Sequence, residues 1–199
     1  RDRSVSRGLG DVYKRQANTG STTALVQDNR VLQIPDDNYR TYYELFVYSF
    51  YDSDGDGIGD LQGVLEKLDY LNDGDDTTDM DLGINGIWLM PVMPSVTYHK
   101  YDTTDYENID PQYGTLETFQ ELLTACHDRG IRVILDLAMN HSSSSHPWFQ
   151  QAAEYLKSLP EGEEPDSSEC PYVDYYHFSR EYQGGYAPVS YTHLTLPTN

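Results

Sequence analysis

Residues 51–63 read YDSDGDGIGDLQG, with aspartates at 52, 54, 56 and 60 and glycines at 55, 57 and 59. Carboxylates this close together repel one another unless a cation offsets them, and an all-oxygen donor set suits a hard cation such as calcium. The start of the loop follows EF-hand order: Asp52, Asp54 and Asp56 precede Gly57, Ile58 offers its backbone carbonyl, and Asp60 takes the ninth position. The frame fails at the twelfth position, where a bidentate glutamate would close the cage and Gly63 stands instead. The competing reading is a surface Asp-Gly turn without metal, and the regular spacing of four aspartates favours the cation.

The elements that must hold this loop follow from apolar spacing. YYELFVYSF, ending at Phe50, is aromatic and β-branched and predicts a buried strand over 43–50. After the Asp/Gly loop, Leu61, Val64, Leu65, Leu68 and Leu71 recur at helical spacing. INGIWLMPV predicts a second strand, closed by Pro91 and Pro94. A further helix has Thr115 as N-cap, apolar positions 116, 119, 122, 123 and 126, and Gly130 as its stop. IRVILDLAMNH predicts a third strand. This alternation is the grammar of a parallel sheet. A doubly wound sheet would place a phosphate-binding glycine turn after its first strand, where this chain has aspartates that repel phosphate. A (β/α)8 barrel places function on loops at the carboxyl ends of its strands, which suits the long loops here. Such a barrel needs eight strands and about 250 residues, so three strands predict an N-terminal barrel fragment.

Bulk properties narrow the partners. The 199 residues carry 33 acidic against 13 Lys+Arg side chains, a formal charge of -20, which disfavours nucleic acid and anionic membranes and fits a neutral polymer or small molecule. Two cysteines, Cys126 and Cys170, establish no disulfide framework, and Cys126 reads as a buried free thiol. No segment is long and apolar enough to span a bilayer, and no signal sequence is visible. The chain does not begin with Met, and ANTGSTTALVQDNR reads as a polar linker. A linker behind an export signal or lipid anchor suits a secreted or cell-surface protein. Residues 1–16 hold five of the basic residues, and SYTHLTLPTN at the other end has no acid. Both ends read as adapter-like sequence. The expected organisation is a disordered, partly non-native flank over 1–38, three βα units over 39–141, a loop-rich insertion over 142–188 and a non-native tail over 189–199.

Four motifs in order, SFYDSDGDGIGDLQGVLEKLDYL, LGINGIWLMPVMPS, YHKYDTTDYENIDPQYGT and DLAMNH, resemble the first three strands of the α-amylase family of glycoside hydrolases, from about Tyr42 to Trp148. The resemblance implies the opening strands of a TIM barrel and the start of an inserted domain after the third. It implies a structural calcium site at Asp52, Asp54, Asp56, the Ile58 carbonyl and Asp60. Tyr101 matches a tyrosine that stacks on the glucose beside the scissile bond, and His99 and His141 match histidines that hydrogen-bond that sugar. Tyr98 and Asp102 are expected to line the same cleft. Asp136 matches a supporting aspartate of the third strand, and Asn140 braces the following loop or, in some relatives, binds a second calcium. An aromatic face suits the apolar face of a sugar and imidazoles suit its hydroxyls, although each residue taken alone could equally be structural.

Retaining glycosidases need a carboxylate nucleophile and a carboxyl acid/base about 5 Å apart. The family places these after strands 4 and 5, and neither motif is found here, so no catalytic residue is assigned. The expectation is an α-amylase-like retaining enzyme acting on starch-like glucans or malto-oligosaccharides, present as an inert fragment. The oligomeric state is undetermined by the sequence. YHKYD favours an endo-acting amylase over the small-oligosaccharide glucosidases. The alternatives are an amylase-like accessory subunit of a transporter, which need not keep the calcium loop or the histidines, and a calcium-dependent carbohydrate-binding module, which would not need three βα units.

Overall fold

The computed structural model describes residues 15–17, 22–27 and 30–178. The chain forms two units, one of residues up to Met90 with Pro111–Asp136, the other of Pro91–Asp110 with residues from Leu137 onward. The tail expected over 189–199 and the first 14 residues lie outside the described residues.

The first unit opens with an antiparallel sheet of β1 (Arg15–Ala17), β2 (Thr22–Gln27) and β3 (Arg30–Pro35). This corrects the linker reading of ANTGSTTALVQDNR. Gln27 pairs with Arg30 at the end of this antiparallel register. On β3, Leu32 is buried, and a Cβ on Gly130 would lie 3.0 Å from its Cδ2.

A parallel sheet follows, of β4 (Tyr42–Leu45), β5 (Gly86–Leu89) and β6 (Arg132–Leu135), paired in that order. Leu45, Leu89 and Leu135 stand in one register row, and Glu44, Trp88 and Ile134 in the next. Leu45, Ile87 and Leu89 are buried, whereas Trp88 and Ile134 are more than two-fifths exposed, so one face of the sheet is covered and the other open. Arg40 ties the amino ends together, its Nη1 donating to the carbonyls of Asn85 at 2.7 Å and Gly130 at 2.9 Å.

The first strand is shorter than expected. After Leu45 the chain makes one helical turn, α1 (Val47–Phe50). The cause is the returning arm of the Asp/Gly loop: the Gly59 N–H donates to Tyr48 O at 2.7 Å and the Asp60 N–H to Tyr51 O at 3.1 Å, taking carbonyls that a longer strand would need. The predicted helix after the loop breaks at Lys67 into α2 (Leu61–Glu66) and α3 (Leu68–Leu71). Leu61, Val64, Leu68 and Leu71 are nevertheless buried, each contributing about 1.5–3 kcal/mol, which outweighs the break. In α4 (Leu116–Asp128), Thr115 Oγ1 accepts the Thr118 N–H at 3.2 Å, and Gly130 at φ 70° ends the helix as the sequence predicts. Its buried stripe is narrower than expected, with Leu122 and Cys126 inside and Leu116 exposed.

The second unit holds α5 (Pro147–Ser158) and a 3-10 turn at Pro171–Tyr175. Ala152, Cys170 and Val173 form a small core with Tyr155, Leu156, Tyr172, Tyr176 and Phe178 around it. Residues 91–110 belong to this unit, so the expected insertion over 142–188 has a partner from before the third strand. Tyr106 joins the two segments: its hydroxyl lies 2.9 Å from Ala138 O and 2.6 Å from His141 O, one proton serving both carbonyls. The Ser143 N–H donates to Thr103 O at 2.8 Å.

Candidate functional site

The Asp/Gly loop is organised by backbone N–H groups turned onto its own carboxylates. Asp52 Oδ1 accepts from Gly55 at 2.6 Å and Asp54 at 3.2 Å, and Oδ2 accepts from Gly57 at 2.8 Å. These donors favour the charged form and hold the Asp52 carboxyl below the usual range, with the Gly57 bond contributing most. Asp54 and Asp56 each accept the N–H two residues on. Gly55 at φ 85° and Gly57 at φ 92° supply the left-handed backbone these turns require. Asp60 is buried and caps α2, accepting the Gly63 N–H at 2.6 Å, while its oxygens also take the Ser53 hydroxyl and N–H at 2.9 Å.

Asp52, Asp54 and Asp60 converge, each offering an oxygen within 4.8 Å of the others. Asp56 is not in this group; one of its oxygens is engaged by the Ile58 N–H at 2.7 Å. The structure thus brings together three of the five residues expected to hold a metal. It also explains the failed EF-hand frame, because a Cβ at position 63 would lie 2.0 Å from Tyr51 O. Any side chain there, glutamate included, collides with backbone.

The second constellation lies on residues 95–103 and 138–146, within the second unit. Its organiser is the backbone of Tyr101. The Tyr101 N–H donates to His99 Nδ1 at 3.3 Å, and His141 Nε2 lies 2.9 Å from Tyr101 O. A backbone N–H only donates and a carbonyl only accepts, so both neutral imidazoles carry their proton on Nε2. In His99 this leaves an Nε2–H donor directed away from Tyr101 N. In His141 it leaves Nδ1 as an acceptor, buried and without a hydrogen-bond partner.

The remaining expected contacts divide. Tyr98 is 63 % exposed, and its ring meets His99 at 5.3 Å. The half-buried Tyr101 ring stands 5.8 Å from His99. Asp102 is buried, and its Oδ1 has no hydrogen-bond partner. Asp136 belongs to the first unit, half-buried after β6, where its N–H donates to Leu89 O at 2.9 Å. Asn140 is exposed. The structure therefore unites His99, Tyr101 and His141 through one residue's backbone.

Three residues escaped the sequence reading. Tyr106 fixes the segment carrying His141. Lys100 and Asp110 form a buried ion pair, Nζ to Oδ2 at 2.6 Å. The available signal was a single lysine, Lys100, set between two candidate sugar contacts in a strongly acidic chain.

Among known proteins, the family described as Alpha amylase, catalytic domain, matches residues 44–195. Alpha-amylase SusG of Bacteroides thetaiotaomicron is 47 % identical over 139 residues, covering 70 % of this chain and 17 % of its own length. Alpha-amylase 3 of Dictyoglomus thermophilum is 47 % identical over 140 residues, covering 70 % of this chain and 24 % of its own. Among solved structures, Eubacterium rectale Amy13B is similar with a TM-score of 0.69 and 65 % identity, over 76 % of this chain and 28 % of that one. The chain thus spans about a quarter or less of these two curated relatives.

Proposed function

The chain belongs to the α-amylase family of glycoside hydrolases, and from that premise we propose that the protein carrying it hydrolyses α-glucosidic bonds of starch-like glucans with retention of anomeric configuration. The observation that supports this most directly is the Tyr101 backbone bridging two imidazoles, one left with a free donor and the other with an acceptor. A sugar hydroxyl both donates and accepts. A site offering His99 Nε2–H and His141 Nδ1 can satisfy hydroxyls in each role, while the Tyr101 ring covers the apolar face of the pyranose. The buried, unpartnered Asp102 Oδ1 adds a further acceptor. All these groups bind and orient substrate. Cleavage itself needs a carboxyl pair about 5 Å apart, and we assign neither member to residues 15–178.

The Asp/Gly loop fits calcium by its chemistry. Asp52, Asp54 and Asp60 supply hard oxygen donors, and Asp56 and the Ile58 carbonyl complete the set that the family resemblance implies. Bound calcium would supply positive charge that neutralises these carboxylates and fixes the loop. A polymeric glucan does not cross membranes, so this reading goes with secretion or display at the cell surface. Among the described residues no helix is long and apolar enough to span a bilayer. The test is incubation of the full-length protein with starch and malto-oligosaccharides, following reducing sugar and the anomer released. The expected products are α-anomers, with none released by residues 1–199 alone. A full-length protein that binds glucan and releases no sugar would favour the carbohydrate-binding alternative.

A further inference from the structure

We propose that the buried Lys100–Asp110 ion pair is a positioning device that sets the tautomers of His99 and His141, and through them the hydrogen-bond polarity offered to substrate; this rests on the glucan-hydrolase reading above. Lys100 is 1 % exposed and Asp110 5 %, whereas most described charged side chains of this unit are exposed. Lys100 also adopts φ 65°, and it is the only non-glycine residue with positive φ among those described. Two costs therefore meet at one residue: a left-handed backbone and a desolvated ammonium. Stability does not call for this arrangement, because well-packed apolar side chains commonly replace a buried ion pair without loss. What the pair provides is a fixed backbone path.

That path leads directly to the imidazoles. The Lys100 N–H donates to Thr97 O at 3.1 Å, closing a tight turn over Tyr98 and His99. The left-handed step at Lys100 then reverses the chain, so that the next N–H, that of Tyr101, returns to His99 Nδ1. The Tyr101 carbonyl in turn receives His141 Nε2. Asp110 anchors both ends of the loop, since its Oδ2 accepts Lys100 Nζ at 2.6 Å and lies 3.4 Å from the Ser95 N–H. Ser95 pairs with Thr103, and its hydroxyl donates to Asp102 O at 2.8 Å, which closes the base of the same loop. The pair is the buried side-chain tether on this left-handed step, so its removal loosens the Tyr101 peptide against His99 while the Thr97 and Ser95 contacts of the turn remain.

The test uses the full-length protein labelled with ¹⁵N-histidine, read by the side-chain nitrogen shifts and by kcat/KM on a malto-oligosaccharide. In the unsubstituted protein both His99 and His141 are expected as Nε2–H tautomers, and an Nδ1–H signal at either overturns the proposal. In Lys100→Met/Asp110→Leu, an apolar replacement of similar volume, the melting temperature is expected to stay close to that of the parent. His99 is expected to show averaged tautomers, with kcat/KM lower by about tenfold or more. A folded double variant with parental tautomers and parental kcat/KM overturns the proposal. If the double variant does not fold, Asp110→Asn carries the same readouts, because it removes the charge and keeps the shape. A full-length protein that cleaves no α-glucan defeats the functional reading, and the tautomer measurements then still decide whether the pair positions the imidazoles.

Discussion

The loops at 51–60 and 95–103 solve the same problem, holding polar groups in fixed directions, in opposite ways. The first takes its left-handed steps at glycines, Gly55 and Gly57, and gathers carboxylates compensated within the loop by neutral donors, backbone N–H groups and the Ser53 hydroxyl. The second takes its left-handed step at Lys100 and neutralises its charge internally against Asp110. A loop whose charge is left over is built to receive a counter-ion from outside. The second loop pairs its lysine with Asp110 and carries imidazole and phenol groups beside the buried Asp102 carboxyl, polar groups that suit a neutral sugar. On the proposed reading, this difference is what would suit the first loop to a metal and the second to a substrate.

Metal removal is the largest expected way to break this contrast. In the full-length protein, saturating calcium is expected to stabilise by about 4 kcal/mol, read as a fall in melting temperature on chelation. Asp52→Asn/Asp54→Asn keeps acceptors for the turn N–H groups and removes two charges, so the variant should melt at the same temperature with or without chelator. A parent protein indifferent to chelation would make the first loop an ordinary Asp-Gly turn. Acid sharpens the same point. Asp52 has a lowered pKa in the fold, so its contribution is present above the ordinary carboxylate range and is lost as pH falls through the folded value. Calcium affinity should fade in that window.

The next largest effect concerns packing. Gly63 stands where an EF-hand would carry its closing glutamate, yet a Cβ there meets Tyr51 O at 2.0 Å. Gly63→Ala is expected to destabilise by about 3 kcal/mol, measured by denaturant unfolding, and Gly63→Glu by no less. If Gly63→Glu instead tightened calcium binding without loss of stability, the first loop would be an EF-hand after all and the structural account of its frame would fail.

How much of this was legible in the sequence depends on how local each determinant is. The barrel grammar showed in apolar spacing, because Leu61, Val64, Leu68 and Leu71 keep one face even across the break at Lys67. The end of the first strand was invisible, since it is set by Gly59 and Asp60 returning to the carbonyls of Tyr48 and Tyr51. The pairing of β2 with β3 was missed because the polar composition around them outweighed their short apolar runs. In the second unit, the family resemblance pointed to His99, Tyr101 and His141, whose residue types taken alone left a structural role equally open. The Lys100–Asp110 pair that organises them spans ten positions with no period to betray it. Asp56 shows the converse: spacing placed it among the metal ligands, whereas the structure groups only Asp52, Asp54 and Asp60.

The smallest effect tests whether the second unit relies on neutral imidazoles more widely. His146 caps α5, its Nδ1 accepting the Trp148 N–H at 3.2 Å, and its ring packs 4.5 Å from that of Trp148. Burial pushes its pKa down, with Asp105 opposing. The sign follows from proton uptake. As pH falls below about 6.5, the unfolded chain protonates this histidine while the folded chain resists. Stability is therefore full above that value and declines toward the lower folded pKa. Protonation also converts Nδ1 into a donor that can no longer accept from Trp148. His146→Asn keeps a capping oxygen and removes the titration, so its stability should fall less than the parent's between neutral pH and mild acid. His146→Ala should cost about 1 kcal/mol at neutral pH. Parallel pH profiles for the parent and His146→Asn would mean that the cap does not depend on a neutral ring.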